Sequence, residues 1–362
     1  MSFSMPAYTA PDFSLPVLKQ APNVRWMPAP AHGVAPDNYH ATTIFPEYFK
    51  ANGSWLLAKE SRMDCVAVLR RGQVEVVEFR RLKKGDLVAT GRSEDGQDGI
   101  YVHTGAFAAP GSQEEAFSFR QSRSRETAYA MDYDSIYDLL RYEKRNGFIT
   151  WVLGPACCFD WDARHAFAKL VKGGYVNALL AGNALATHDL EAGYRSTALG
   201  QDIYTQISQP GGHYNHIDTI NHVRKVGSIA QFVKEENIED GIMASCMQEN
   251  VPFVLAGSIR DDGPLPEVYA DVYQAQNAMR EQVKKSTTVI CLATTLHSIA
   301  TGNMTPSYRV LEDGTIRPVY FYSVDVSEFA VNKLRDRGSL AVKTIVTNVQ
   351  DFIVNVQRGL GL

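Results

Sequence analysis

From residue 148 to residue 362 the chain alternates short apolar runs with segments of helical period. The runs are FITWVLGPA, YVNALLAGN, PFVLAGS, TTVICLAT, RPVYFYSVD and AVKTIVTN. Between them lie DARHAFAKLVKGG, DTINHVRKVGSIAQFVKEEN, EVYADVYQAQNAMREQVKKS, EFAVNKLRDRG and VQDFIVNVQRGL, with apolar residues three and four apart. Strands apolar on both faces and separated by helices predict an α/β domain built on a mostly parallel, doubly wound sheet.

Ahead of this domain, residues 37–147 carry the β-rich runs SWLLAKES, DCVAVLRRG, QVEVVEFRRL and DLVATGR, broken by Gly and Asp. They predict a small, mainly β domain, closed by a helix over YDSIYDLLRYEKRNG. Residues 1–36 hold seven of the sixteen prolines and show no period, which predicts an extended arm. Its Trp26 and Met27 are candidates to pack on the body or on a neighbouring subunit.

A formal charge of −4, from 36 basic and 40 acidic residues spread along 362 positions, gives no extended field for a polyanion such as nucleic acid. The start MSFSMPAYTAPDF lacks a basic region followed by an apolar one, and no run nears the roughly 18 apolar residues of a membrane helix. A cytoplasmic protein without a membrane partner is expected. Five cysteines without a CxxC pair predict reduced thiols, and adjacent Cys157 and Cys158 read as small apolar residues.

Ligands of an open parallel sheet bind beyond the carboxyl ends of its strands. The residues there are Asn183 and Ala184, Asp261 and Asp262, Thr294, Thr295 and His297, Asp325, and Asn348. Small residues let backbone approach a pyrophosphate, and an Asp accepts ribose hydroxyls, so the set fits a dinucleotide. No GxGxxG is present, and the same residues also serve as ordinary turns and helix caps.

The polar stretch GQDIYTQISQPGGHYNHIDTINHV, with His213, His216 and His222, reads as a long loop acting as a lid. Its histidines are candidates for substrate contact or proton transfer, or for fixing the loop. His213 and His216 without a further Cys or carboxylate at ligand spacing make only a weak signal for a metal, and none is expected. Arg120, Arg123 and Arg125 in FRQSRSRETAY, and Arg62 in ESRMDC, are candidate clamps for a substrate carboxylate or solvated charges. Lys333 is a candidate base, or a lysine on a helix surface.

The segments VAPDNYHATTIFPEYF, ESRMDCVAV, LLAGNALATHDLE, LGQDIYTQ, GHYNHIDTIN, VPFVLAGSIRDDGPLPEV, HSIATGNMTPS and VDVSEFAVNKLRDRGS together resemble the LOR/SDH-type family. That family includes archaeal-type NAD-dependent ornithine cyclodeaminases and the C-terminal part of cyanobacterial arginine dihydrolase fusions. The likeness runs from about residue 34 to the end. It implies a Rossmann-like domain related to deoxyhypusine synthase, a tightly bound NAD and a homo-oligomer, a dimer or tetramer. The implied NAD contacts fall on Asn183, Ala184, Asp262, Thr294, Thr295, Leu296, His297, Asp325, Asn348 and Val349. The implied reaction converts L-ornithine to L-proline and ammonia by internal removal and return of a hydride, with no net redox change. Asp262 and Lys333, or His213 and His216, would move protons, and an arginine would hold the carboxylate. Two other readings stand beside it: an opine- or saccharopine-type dehydrogenase or a cyclodeaminase of another diamino acid, and a non-catalytic NAD-binding regulator whose arm engages a partner.

Overall fold

The computed structural model describes residues 3–107, 130–259, 261, 263–327 and 339–362. In the large domain the apolar runs become β1 (Ile149–Leu153), β2 (Ala178–Gly182), β3 (Phe253–Ala256), β4 (Val268–Tyr269), β5 (Thr288–Leu292), β6 (Tyr320–Asp325) and β7 (Ala341–Val346). They lie in the order β4-β3-β2-β1-β5-β6-β7, and every neighbouring pair is parallel. Successive side chains of a strand point to opposite faces. Trp151, Leu179, Leu255 and Ile290 therefore join the core on one face, and Val152, Leu180, Val254 and Val289 the core on the other. Both faces are covered, which is why the runs read as unbroken apolar sequence. Each such buried side chain contributes about 1.5–3 kcal/mol.

The covering helices are α1 (Ala130–Asn146), α2 (Trp161–Lys172), α3 (Asn183–Arg195), α4 (His213–Val226), α5 (Ile229–Glu235), α6 (Ile242–Gln248), α7 (Val272–Val283), α8 (Thr295–Met304) and α9 (Val349–Gly359). Helix α1, expected to close the small domain, instead belongs to the large one. Its Ile136, Leu139 and Leu140 enter the sheet's core, and its Glu143 pairs with buried Arg317. The long helix expected over DTINHVRKVGSIAQFVKEEN is two helices, because Gly227 turns the chain at φ +97° and Ser228 caps α5 through Gln231 N. The start of EVYADV is the edge strand β4, and Asp271 caps α7 by accepting from Gln274 N. The segment EFAVNKLRDRG lies outside the described residues from 328 on.

One buried carboxylate ties three helices together. Asp189 of α3, 1 % exposed, accepts from Arg164 Nε of α2 at 2.8 Å and from Ile242 N and Met243 N of α6 at 3.0 and 2.8 Å. Arg164 is equally buried.

The small domain is two antiparallel sheets. One orders Arg25–Pro28, Leu87–Thr90, Val66–Arg70 and Gln73–Val77; the other orders Ser54–Leu57, Glu47–Ala51 and Ile100–Val102. The proline-rich segment is thus not only an extended arm. It turns a short helix at Pro16–Gln20 and supplies an edge strand. Pro28 at the end of that strand needs no donor there. Trp26 packs beside Phe49 within the body, and Phe13 stacks on Trp55. Toward the start, Phe3 and Met5 pack on the large domain's core. A hairpin of the large domain, Tyr308–Val310 with Ile316–Pro318, returns to the small domain: Ser307 N donates to Ser61 O at 2.8 Å and the Tyr308 hydroxyl to Ala58 O. Among the described residues no helix is long and apolar enough to cross a membrane.

Candidate functional site

The strand order reverses between β1 and β5, whose connections depart to opposite sides of the sheet. Backbone approaches backbone closely there. Gly154 N donates to Leu292 O at 2.8 Å, and a Cβ on Gly154 would stand 1.9 Å from Ala293 O. Ala293 itself takes φ +50°. Gly154→Ala is therefore expected to lower stability by about 1–3 kcal/mol or more, read as a shift in urea midpoint; an unchanged midpoint would show that this crossing yields easily.

Beside the switch, β2 runs straight into α3, and β5 into α8 through Thr294. Neither helix has a side-chain cap, and neither carries an acidic residue in its first turn. Their leading N–H groups are left for an acceptor, which makes each end a favourable place for negative charge. The two ends meet: a Cβ on Gly182 would lie 3.0 Å from His297 Cε1. Burial pushes the His297 imidazole below its ordinary value, with Asp261 opposing. Asp261 accepts from Ser258 N at 2.8 Å, and Asn183 Oδ1 accepts from Leu265 N at 3.0 Å.

A cleft of about 640 Å3 opens over the start of α3. Its floor is Asn183, Ala184, Thr187 and His188; α4 contributes His216, Ile217, Ile220, Asn221 and Arg224; Leu199, Asp261 and Gly263 complete it. Beneath the floor, Glu191, fully buried, accepts from His188 Nδ1 at 2.9 Å, Thr197 Oγ1 at 2.8 Å, Gly200 N at 3.0 Å and Leu199 N at 3.2 Å. Burial pushes the Glu191 carboxyl up, but the bonds from His188, Gly200 and Thr197 outweigh this and hold it below the ordinary range. An ionised Glu191 fixes the His188 proton on Nδ1 and leaves Nε2 as the basic atom. His216 lies across from it, ring centroids 5.8 Å apart. Burial and then His188 push the His216 imidazole below its ordinary value, with Glu191 opposing. Its buried Nδ1 has no partner among the described residues.

Of the residues singled out in the sequence, Asn183, Ala184, His216 and Asp261 line this cleft, and His297 lies against its neighbour Gly182. The expected lid loop is only partly a loop. His213 and His216 sit on the first turn of α4, reached through a crossing where a Cβ on Gly200 would meet Gly212 at 2.4 Å. His213 stacks on Tyr214 and does not line the cleft. Thr294, Thr295 and Leu296 open α8, with Leu296 exposed. Asp325 ends β6 and accepts from Ser327 N. Asn348 caps α9 through Gln350 N and Asp351 N, and the Val349 side chain is in the core. Arg62 is elsewhere, 2 % exposed, its guanidinium on Glu60 and Glu78. Asp262, Lys333, Arg120, Arg123 and Arg125 lie outside the described residues. Sequence reasoning missed His188, Glu191 and Arg224. The spacing His188-x-x-Glu191 in THDLE, one helical turn on a segment that leaves a strand end, was the available signal.

A doubly wound parallel sheet whose order reverses beside two open helix N-termini defines a Rossmann-fold domain. The matching family models are "Arginine dihydrolase ArgZ-like, C-terminal, Rossmann fold" over residues 135–356 and "Arginine dihydrolase ArgZ-like, C-terminal, first region" over 46–128. The chain belongs to this ArgZ-like C-terminal family, together with archaeal proteins named ornithine cyclodeaminase. One, from Methanopyrus kandleri, is 37% identical over 340 residues, 93% of this chain and 78% of that one. The crystal structure of a LOR/SDH protein from Methanococcus maripaludis superimposes with a TM-score of 0.83 at 36% identity, covering 94% of this chain and 98% of that one. AgrE, solved as a ternary complex with ornithine and NAD+, matches with a TM-score of 0.58 at 31% identity, over 96% of this chain and 46% of its own. The archaeal relatives are enzymes by name, and the fold and family expected from the sequence are those found.

Proposed function

We propose that this chain is an NAD-dependent ornithine cyclodeaminase, converting L-ornithine to L-proline and ammonia. The observation that carries the reading is a single cleft that joins the open N-terminus of α3 to a buried His188–Glu191 pair and to a cation, Arg224, in a chain related along most of its length to proteins of that name. The residues fit a dinucleotide: the uncapped amides of α3 and α8 would hold its diphosphate, Asn183, Ala184 and the Thr294–His297 turn its linkage, and Asp325 a ribose. Thr187 Oγ1, buried on the cleft floor without a partner among the described residues, is a donor waiting for such an acceptor. When bound, NAD supplies a reversible two-electron oxidation at the substrate's α-carbon.

The chain's own groups do the rest. Arg224 offers a fork to the α-carboxylate, and Asp261 faces an ammonium group. His188, backed by Glu191, takes a proton from the α-amine at Nε2 and returns it to the departing ammonia. His216, whose burial favours the uncharged imidazole, accepts a proton from the δ-amine, so that the amine can attack the α-carbon. Leu199, Ile217 and Ile220 form an apolar wall that keeps water from that carbon.

Incubating the protein with catalytic NAD+ and excess L-ornithine is expected to give proline and ammonia in equal amounts with no accumulating NADH. NADH rising in step with substrate loss, without proline, would replace this reading by net dehydrogenation.

A further inference from the structure

A second cleft, of about 520 Å3, opens along the boundary of the two domains and shares no lining residue with the first. The small domain brings Arg62, Glu78, Arg80 and Arg81 to it, and α7 is followed there by Lys284. One turn earlier on α7 is Arg280. Arg62 and Arg280 are each 2 % exposed, and they compete for one atom. Glu78 Oε1 accepts from Arg62 Nη2 at 2.6 Å and from Arg280 Nη2 at 2.7 Å. Glu60 adds a bond to Arg62 Nη1 at 2.9 Å.

The remaining donors are left over. Arg62 Nε, Arg280 Nε and Arg280 Nη1 are buried with no acceptor among the described residues. Arg80 bonds to the side-chain oxygens of Gln276 and Asn277, and Arg81 to Asn277 with Glu78 only at 3.9 Å. Lys284 meets no carboxylate among the described residues. Burial, and then Arg62, Arg81 and Arg80, push Arg280 down to about 10 against the opposing pull of Glu78. Arg70 is different, being matched by Asp86 and Glu75.

Buried donors without acceptors and crowded like charges are both costly, and both are relieved by the same thing. We propose that this interdomain cleft is a second ligand site, which takes a compact phosphate-bearing polyanion between the arginines of the small domain and Lys284, with Arg280 buried behind Glu78 adding to its positive field. Planar guanidinium forks suit phosphate oxygens. A monocarboxylate would leave cations unmatched, since among the described residues Arg62, Arg81 and Arg280 have only Glu60 and Glu78 as carboxylate partners and Arg80 and Lys284 have none. Because Lys284 comes from the large domain and the rest of the lining from the small one, a ligand that bridges them fastens one to the other.

The inference stands apart from the activity proposed above, and its probe is inorganic pyrophosphate. Calorimetry and thermal melting of the full chain, at constant ionic strength set with NaCl and with saturating NAD, are expected to show a single saturable site and a Tm that climbs with the logarithm of pyrophosphate. The variant Arg81→Gln/Lys284→Gln, altered at partly exposed positions, is expected to bind about ten-fold more weakly or less. Should it fail to fold, Arg80→Gln, at an exposed side chain, carries the same test. Absence of saturation, unchanged affinity in the variants, or displacement of pyrophosphate by NAD would each overturn the proposal.

Discussion

Replacing His188 by glutamine is expected to lower kcat on ornithine by about 10²–10⁴-fold, the ordinary contribution of a positioned general base, with little change in Tm. The two readouts separate because of where the imidazole sits. Its Nδ1 is bonded to Glu191 at 2.9 Å, a contact that a glutamine amide can reproduce as a donor. Phe159 packs edge-on at 5.4 Å and still has a planar group to meet. What glutamine cannot provide is a basic atom at the position of Nε2. A kcat within about ten-fold of the parent, with the fold intact, would remove His188 from the proton-transfer scheme and shift attention to His216 and to Asp262.

Asp189→Ala is expected to cost about 3–5 kcal/mol of folding free energy, because it strands a buried guanidinium. Arg164 is 1 % exposed and would keep one carboxylate among the described residues, Asp240, itself 40 % exposed, at 3.0 Å, beside the backbone carbonyls of residues 189 and 240. The same substitution uncaps α6 by removing the acceptor of Ile242 N and Met243 N. Replacing both Arg164 and Asp189 by leucine is expected to recover much of the loss, since apolar replacement of a whole buried pair is often nearly neutral. Equilibrium urea unfolding reads both; a loss below about 1 kcal/mol for the single variant would mean that water reaches Arg164.

What was legible in the sequence follows from what periodicity encodes. Runs such as TTVICLAT are buried on both faces and announce themselves as strands, and their ends told where Asn183, Ala184 and Asp261 would gather. Tertiary partners are written less plainly. Helix α1 carries a good helical pattern, but nothing in it says that Ile136 and Leu140 face the large sheet rather than the small domain. The strand Arg25–Pro28 has too few residues, and a proline, to show a period. The pair His188–Glu191 hid because its segment, NALATHDLEAGYR, was noticed for its polar first residues and not for its helical face. Arg62 reads as a candidate clamp or a solvated charge because a sequence does not show that Glu60 and Glu78 surround it.

The opening residues carry a consequence for how the chain is made. Phe3 packs at 5.0 Å from Tyr142 and 5.7 Å from Tyr320, and Tyr320 Oη reaches Met5 Sδ across 315 positions of sequence. The last of the small domain's described strands ends at Val102, so the domain can fold while the segment that carries Phe3 and Met5 still hangs free. The docking surface exists only once β6 has left the ribosome. The segment that carries Phe3 and Met5 therefore finds its place only after β6 has formed, and it closes the molecule like a latch dropped after both halves are built.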